Sequence, residues 1–244
     1  LLKIISAYLY KKSKKIIVFT KGNKEYISNK SKAKIEYIPN GVKKNMFERL
    51  GKRNIIRKKY GFEDFTFVYT GAIGVANSID TIVKACERIR DEDINVKIFG
   101  SGPLKDKLKA EIKKRDLKNI KILSPVEKSE IPSILNASDG AIITLKDIPL
   151  FRFGVSPNKI FEYMYAGLPV LCAIEGEMGD MIRDANCGYV VKPDNPDDLV
   201  EKIIKLVSLP KSKRKEMGQN GKRYIEKYFL REELVEKLKD FLDL

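Results

Sequence analysis

The chain has 244 residues, of which 43% are hydrophobic, and this is enough for one large or two small domains with a buried core. It contains no histidine, which excludes Ser-His-Asp catalysis, Cys-His catalysis and histidine-bound metal ions. The net charge of +15 comes from the first 60 residues, where 18 Lys and Arg stand against Glu25, Glu36 and Glu48.

This uneven charge favours contact with anionic lipid headgroups or a phosphate-bearing acceptor, and a lysine-rich solvated surface is the alternative. Nucleic acid is not expected, because the basic region has no recognition motif or aromatic platform. No apolar run approaches the roughly 18 residues of a membrane span and no leader opens the chain, so we expect a soluble, cytoplasmic protein. Its three cysteines lie in apolar contexts that predict core thiols, at Cys86, Cys172 and Cys187.

The chain begins with apolar residues at helical spacing over positions 1–10, which predict a helix packed on a sheet. A helix lying on a membrane surface is the competing interpretation. Strands are predicted at 16–19 and 35–38, and the second ends at a turn in which Gly41 suits a positive φ. Because the chain opens inside an element, we interpret residues 1–38 as the end of a preceding lobe.

From residue 65 onward, short β-branched or aromatic runs alternate with amphipathic helical patterns. This alternation predicts an α/β fold, a doubly wound parallel sheet of about six strands with helices on both faces. Basic and amphipathic helices are predicted to follow at 211–228 and 232–244. The predicted strands are 65–69, 96–99, 120–123, 141–145, 170–173 and 189–191.

Ligands of such sheets bind beyond the carboxyl ends of the strands. The first strand is followed by a glycine loop over residues 70–74, whose glycines allow the main chain to approach a phosphate. The second is followed by Gly-Ser-Gly-Pro at 100–103, for which a strand-to-helix turn is a sufficient explanation. After the fifth strand, the acidic, glycine-rich residues 175–180 are predicted to be a loop that caps the next helix.

Residues 156–170, SPNKIFEYMYAGLPV, are predicted to form a loop, a short helix and a buried strand. Pro157 disfavours helix at the residue before it, and Gly167 with Pro169 ends the helix. Lys159 then lies in the first turn, where unpaired amides and partial positive charge suit a phosphate. Glu162, further along the helix, is placed to accept hydrogen bonds from sugar hydroxyls, although a helix cap is the simpler interpretation.

The stretch resembles the donor site of GT-B glycosyltransferases of family 4, whose branch reads SPxKxFEYMAxGxPV. The turn I-P-N-G-V at 38–42 and the loops Y-x-G-x-x-G and G-x-G-P also match that family in the same order. The resemblance implies that Glu162 holds the ribose. Because no basic residue lies in or soon after the glycine loop, Lys159, with Arg152 as a second candidate, is expected to supply the positive charge for the diphosphate, and we expect Glu162 and Lys159 to be catalytic. An earlier family glutamate, which contacts the donor sugar, is replaced here by Gly154. The remaining donor-binding residues that it implies are Gly71, Ala72, Ile73, Gly74, Gly102, Val126, Arg152, Pro157, Asn158 and Ile160.

The resemblance therefore implies the donor-binding half of a retaining glycosyltransferase, which moves a sugar from a nucleoside diphosphate to a glycan or lipid-linked acceptor. Residues 1–38 would be the end of the acceptor lobe, 39–228 the donor domain, and 229–244 a helix that returns toward the acceptor lobe. No cofactor or metal ion is expected, and the isolated chain is expected to transfer no sugar. The alternatives are a subunit that works with a separate acceptor-binding chain, a GT-B sugar-nucleotide epimerase, and a non-catalytic nucleotide-sugar-binding domain.

Overall fold

The computed structural model describes residues 2–152 and 154–244. Its first part is a small two-stranded sheet, in which β1 pairs in parallel with β2 and Ile16 lies opposite Ile35. The turn after β2 leads through a 3-10 helix, Lys44–Phe47, into the larger part of the chain. The elements of the first part are α1 (Leu2–Lys12), β1 (Lys15–Val18), α2 (Lys21–Ser28) and β2 (Lys34–Tyr37).

The larger part is built on six parallel strands, each a short run rich in β-branched and aromatic residues. The strands are β3 (Phe65–Thr70), β4 (Ile94–Phe99), β5 (Ile120–Leu123), β6 (Gly140–Thr144), β7 (Val170–Ala173) and β8 (Gly188–Val190). The accompanying helices are α3 (Arg53–Tyr60), α4 (Ile79–Arg88), α5 (Lys105–Lys114), α6 (Ile131–Ala137), α7 (Pro149–Arg152), α8 (Asn158–Tyr165), α9 (Glu177–Ala185) and α10 (Pro196–Val207).

The strand order is β5-β4-β3-β6-β7-β8, and every pairing in this sheet is parallel. The chain runs outward from β3 to β5, returns to the centre at β6 and continues to the opposite edge. The order therefore reverses between β3 and β6, the position at which ligands bind in doubly wound sheets. The predicted fold class is confirmed, and each of the six predicted strands lies within two residues of an observed one.

Alternating strand residues build two hydrophobic cores, one on each face of the sheet. On β3, Val68 faces the core shared with α6, α8 and α9, whereas Phe67 and Tyr69 face the core shared with α4, α5 and α10. Most buried residues of the central strands are apolar, as expected for a parallel sheet covered on both sides, and the polar exceptions are Thr66, Thr70, Lys97 and Thr144.

The last two helices, α11 (Lys211–Tyr228) and α12 (Arg231–Leu242), bring the chain back to its beginning. The amide of Arg231 donates to the carbonyl of Val42 at 2.9 Å, and Lys237 pairs with Glu36 at 2.7 Å. Helix α12 therefore packs beside the small sheet.

A second contact joins the small sheet to the larger part at α9. The carboxylate of Glu177 accepts hydrogen bonds from the Lys21 amide at 2.9 Å and from the Tyr37 hydroxyl at 2.5 Å. Glu177 opens α9, so residues 177–180 belong to the helix and are not the loop that the sequence predicts. Acidic residues are favourable in the first turn of a helix, which explains the earlier start.

Helix α1 also differs from its prediction. Four of its apolar side chains are exposed to solvent within this chain and do not pack on a sheet, namely Ile4, Ile5, Tyr8 and Leu9. Leu1, which the sequence assigns to the same helix, lies outside the described residues. Among the described residues, no helix has both the length and the apolar composition required to cross a bilayer.

Candidate functional site

The start of α8 lies beyond the carboxyl end of β3, at the position where the strand order reverses. Pro157 occupies the N-cap position with φ −72° and ψ 123°, and the helix begins at Asn158 as its sequence predicts. Asn158 is exposed and Lys159 is half-buried, whereas the side chain of Ile160 lies fully in the core. The first-turn amides of a helix have no partners within the helix, so this end offers donors and partial positive charge.

The loops after β3 and β4 are packed against each other through glycines. A Cβ atom on Gly100 would lie 1.9 Å from the carbonyl oxygen of Gly71, and one on Gly102 would lie 2.4 Å from the carbonyl oxygen of Ile73. Gly71 and Gly102 also have positive φ angles of 132° and 154°. The neighbouring main chain therefore requires a glycine at position 102. This contact explains the glycine better than the strand-to-helix turn that the sequence indicates.

Most of the amides in the glycine loop already have partners inside the protein. The amide of Gly71 donates to the carbonyl of Phe99 at 2.9 Å, and that of Ile73 donates to the carbonyl of Ser101 at 2.8 Å. The Gly74 amide donates to the Asn77 side chain at 3.2 Å. Ala72 is the loop residue whose amide has no acceptor among the described residues. Of the four amides of residues 71–74, only that of Ala72 is therefore available to a phosphate among the described residues.

Lys159 reaches back from α8 to the end of β3. Its ammonium group donates a hydrogen bond of 2.6 Å to the Tyr69 hydroxyl and lies 4.0 Å from the centre of the Tyr69 ring. Burial lowers the pKa of Lys159 to about 8, and the nearby charge of Glu162 opposes this shift. The ammonium is 2.9 Å from the Cβ position of Gly71, so the cation and the glycine loop face each other closely.

Glu162 lies one turn further along α8 and borders a cavity of about 650 Å³. Its carboxylate makes no hydrogen bond or ion pair with a described side chain. Burial raises the pKa of Glu162, while the positive charges of Lys128, Arg231 and Lys159 oppose this change. Lys128 and Arg231 line the same cavity. The site therefore holds a half-buried carboxylate whose hydrogen-bonding capacity remains available.

The remaining predicted residues have different surroundings. Val126 is half-buried against the core on the α8 face, and the cavity beside Glu162 begins two residues after it. The amide of Ile160 donates to the carbonyl of Pro157 at 3.2 Å, so neither its side chain nor its amide faces a ligand. The side chain of Arg152 lies outside the described part of the structure.

Gly154, where the family resemblance places a carboxylate, lies against the first part of the chain. Its φ angle is 112°, and a Cβ atom there would be 2.7 Å from Cβ of Thr20. Both the backbone conformation and this contact disfavour any larger side chain. Gly154 also borders a cavity of about 820 Å³, which extends between the small sheet, α9 and α11.

Two further residues belong to the site and were not identified from the sequence. The Asn40 side chain donates a 2.6 Å hydrogen bond to the carbonyl of Ser156, just before α8. The hydroxyl of Ser156 is buried and has no hydrogen-bond partner among the described residues. The sequence indicates only a turn at residues 38–42, whereas the contact of Asn40 links positions 116 residues apart.

The sequence family described as "Glycosyl transferases group 1" matches residues 52–224 of this chain. The glycosyltransferase MJ1178 of Methanocaldococcus jannaschii, itself uncharacterised, is 27% identical over 222 residues, which is 91% of this chain and 57% of that protein. A putative colanic acid biosynthesis glycosyl transferase of Escherichia coli, WcaI, is 24% identical over 147 residues, covering 59% of this chain and 36% of its own. The chain thus spans about half the length of these relatives or less.

Solved structures share the fold at low sequence identity. HepE of Anabaena, solved with UDP-glucose, superposes with a TM-score of 0.84 at 15% identity, over 99% of this chain and 67% of its own. WaaG, described as a glycosyltransferase involved in lipopolysaccharide biosynthesis, superposes with a TM-score of 0.74 at 18% identity, over 98% of this chain and 66% of its own.

Proposed function

Because the chain belongs to the group 1 glycosyl transferases, we propose that it binds the nucleoside diphosphate of a sugar nucleotide and takes part in sugar transfer to a glycan or lipid-linked acceptor. The observation that carries the proposal is the arrangement of charge along α8. A cation stands in the first turn at Lys159, and a carboxylate without a partner among the described residues follows one turn later at Glu162. HepE, which shares this fold, was solved with UDP-glucose.

In this proposal the diphosphate lies between the start of α8 and the glycine loop. The ammonium of Lys159, the first-turn amides and the Ala72 amide oppose its negative charge. As the sugar leaves, charge increases on the diphosphate, and fixed donors that already face it stabilise this state more than the bound substrate. Glu162 accepts hydrogen bonds from the ribose hydroxyls, and the base lies near the loop that contains Val126. The sugar is transferred with retention of its anomeric configuration, and the diphosphate charge is balanced without a metal ion.

The alternatives predict different behaviour. A subunit that depends on a second chain binds the nucleotide and transfers sugar only when the partner is added. An epimerase converts the sugar nucleotide into one whose sugar has a changed stereochemistry, in the absence of any acceptor. A non-catalytic domain binds the nucleotide sugar and leaves it intact under all of these conditions.

The binding step is tested by calorimetry and thermal shift with UDP, GDP and dTDP, each compared with its nucleoside. We expect one diphosphate to bind and to raise the melting temperature, with the nucleoside binding far more weakly because most of the positive charge faces the phosphates. The proposal is wrong if none of the three diphosphates binds more tightly than its nucleoside.

A second proposal concerns the membrane. Helix α1 exposes apolar side chains at Ile5, Tyr8 and Leu9, and exposed lysines follow at its carboxyl end, including Lys11 and Lys12. Apolar and cationic groups on one helix are typical of segments that lie on anionic bilayers. We propose that this end of the chain contacts the anionic inner face of a membrane, where a lipid-linked acceptor would be located.

A further inference from the structure

Tyr69, near the end of β3, connects the two halves of the candidate diphosphate site through one hydroxyl group. Its oxygen accepts the hydrogen bond from the Lys159 ammonium at 2.6 Å. The same hydroxyl donates to the carbonyl of Ala72 at 2.8 Å. Tyr69 is completely buried, and its ring packs in the core beneath α4 and α10. A rigid strand residue therefore holds both the cation of α8 and the exposed corner of the glycine loop.

The direction of these two hydrogen bonds is fixed by the chemistry of the groups. A carbonyl only accepts, so the single hydroxyl proton of Tyr69 is committed to Ala72, and the bond with Lys159 uses an oxygen lone pair. Burial raises the pKa of Tyr69, which keeps the hydroxyl protonated. An ammonium has three donors, and Tyr69 occupies one. Two donors of Lys159 remain for phosphate oxygens.

Lys159 has no ion-pair partner among the described side chains. Its neighbours are the hydroxyl and the ring face of Tyr69, with the ring centre 4.0 Å from the ammonium. A lysine side chain has four rotatable bonds, and holding it in one conformation costs conformational entropy. The two contacts with Tyr69 offset this cost before any ligand arrives.

We infer that Tyr69 is a positioning residue of the diphosphate site, which sets the separation between the Lys159 ammonium and the glycine loop. The inference rests on the proposed function. In the competing interpretation Tyr69 only fills the core, and its hydroxyl merely satisfies the Ala72 carbonyl. Tyr69→Phe separates the two, because it keeps the ring in the core and removes both hydrogen bonds.

The first test is a double-mutant cycle on the dissociation constant of whichever of UDP, GDP or dTDP binds the wild type most tightly. We expect Tyr69→Phe and Lys159→Met each to weaken binding by about tenfold, as for loss of a hydrogen bond to a charged group. Because part of the effect of Tyr69 passes through Lys159, the double variant should bind more tightly than the product of the two single losses predicts. If the two single losses simply multiply in the double variant, Tyr69 does not position Lys159, and the inference is overturned.

Tyr163→Phe is the matched control. Tyr163 is also completely buried, and its hydroxyl accepts a hydrogen bond of 2.7 Å from the Thr70 amide at the end of the same strand. It has no hydrogen bond with Lys159, so its effect and that of Lys159→Met should multiply. Coupling to Lys159 in the control as large as that of Tyr69 would overturn the inference.

The second test needs no ligand and therefore separates failure of the inference from failure of the proposed function. With lysine labelled at Cε, the Lys159 signal of the wild type should be shifted upfield by the adjacent ring. In Tyr69→Phe the ring remains but the hydroxyl is lost, so the signal should move toward that of an exposed lysine. An unchanged Lys159 signal in a folded Tyr69→Phe variant would contradict the positioning role, whether or not any nucleotide binds.

Discussion

The side-chain amide of Asn40 donates a hydrogen bond of 2.6 Å to the main-chain carbonyl of Ser156. Asn40 lies in the turn by which the chain enters the large sheet, and Ser156 immediately precedes the N-cap of α8. The bond thus holds the segment from which the candidate phosphate site begins. It gives the turn a role in the site as well as in the connection.

We predict that Asn40→Ala weakens nucleoside diphosphate binding about threefold to tenfold and destabilises the fold by about 1 kcal/mol, because one partly buried hydrogen bond is lost. Calorimetry and urea unfolding measure the two effects. Asn220→Ala is the control, since its side chain also donates to a main-chain carbonyl, that of Asn186 at 3.2 Å, on an exposed surface. Equal affinities in the two variants would argue against a role for Asn40 in the site.

A second prediction concerns Glu162→Gln, which keeps the size of the side chain and removes its charge. Hydrogen bonds from the ribose hydroxyls to a carboxylate are stronger than those to an amide. Binding of the nucleoside diphosphate should therefore weaken, by no more than about 3 kcal/mol. Inorganic pyrophosphate has no ribose, so it should bind the wild type and Glu162→Gln with the same affinity. Glu233→Gln, which removes a charge from an exposed position of α12, should have no effect. If calorimetry shows the affinity of Glu162→Gln to be unchanged, Glu162 does not hold the ribose.

The third prediction is a pH dependence that originates at Lys159. In the empty site burial lowers the pKa of this ammonium to about 8, so it loses its proton as the pH rises through 8. A bound diphosphate favours the charged form and raises the pKa again. Affinity should therefore decrease between pH 7 and pH 9.5, and binding in this range should take up protons.

Calorimetry in two buffers of different ionisation enthalpy measures the proton uptake directly. Lys159→Met has no proton to gain, and its weaker affinity should be nearly independent of pH over the same range. A wild-type affinity that stays constant from pH 7 to pH 9.5 would mean that the Lys159 ammonium does not contact the ligand.

The agreement between the sequence and the fold has a physical reason in the central strands. Runs such as residues 65–70 and 170–173 are buried on both faces, and the apolar composition that this requires is visible in the sequence. The sequence does not predict helix α2, because only Ile27 of its eight residues is buried and the segment therefore has little apolar periodicity. The predicted start of α8 is correct because Pro157 restricts the backbone locally.

The site was less predictable, because its important contacts join distant parts of the chain. Nothing in the local pattern at Tyr69 indicates that its hydroxyl reaches a lysine 90 residues away. The sequence also does not reveal that the Gly71 and Ile73 amides are already bonded within the protein. Periodicity reports which face of an element is buried, whereas these facts depend on how two loops meet.

The fourth prediction concerns stability. Gly100→Ala places a Cβ atom 1.9 Å from the carbonyl oxygen of Gly71, and this oxygen has little room to move because it belongs to the main chain. We expect a loss of about 2–3 kcal/mol in the free energy of unfolding, measured with urea. Gly74→Ala is the control, because its Cβ would meet only the Asn77 side chain at 3.3 Å. Similar stabilities for the two variants would contradict the tight packing of the loops.

The last prediction concerns the basic end of the chain. Each lysine near an anionic surface contributes about 1 kcal/mol within a Debye length of roughly 8 Å, so a few suffice for docking. The chain should sediment with vesicles that contain phosphatidylglycerol, and this binding should decrease as salt rises. Replacing Lys11, Lys12 and Lys14 with glutamine should reduce it. Equal sedimentation with anionic and neutral vesicles at low salt would show that these lysines are only a solvated surface.

The packing of Gly100 and Gly102 on the main chain of the neighbouring loop has a consequence for ligand recognition. Because main-chain atoms of the two loops are in direct contact, we expect the loops to act as one rigid wall, so that a ligand binding there does not need to order either loop. The conformational entropy of ordering these two loops is lost when the protein folds and is not lost again when a ligand binds. Differences in ligand preference among proteins with this wall should therefore arise from side chains around its edge, where substitutions leave the wall intact.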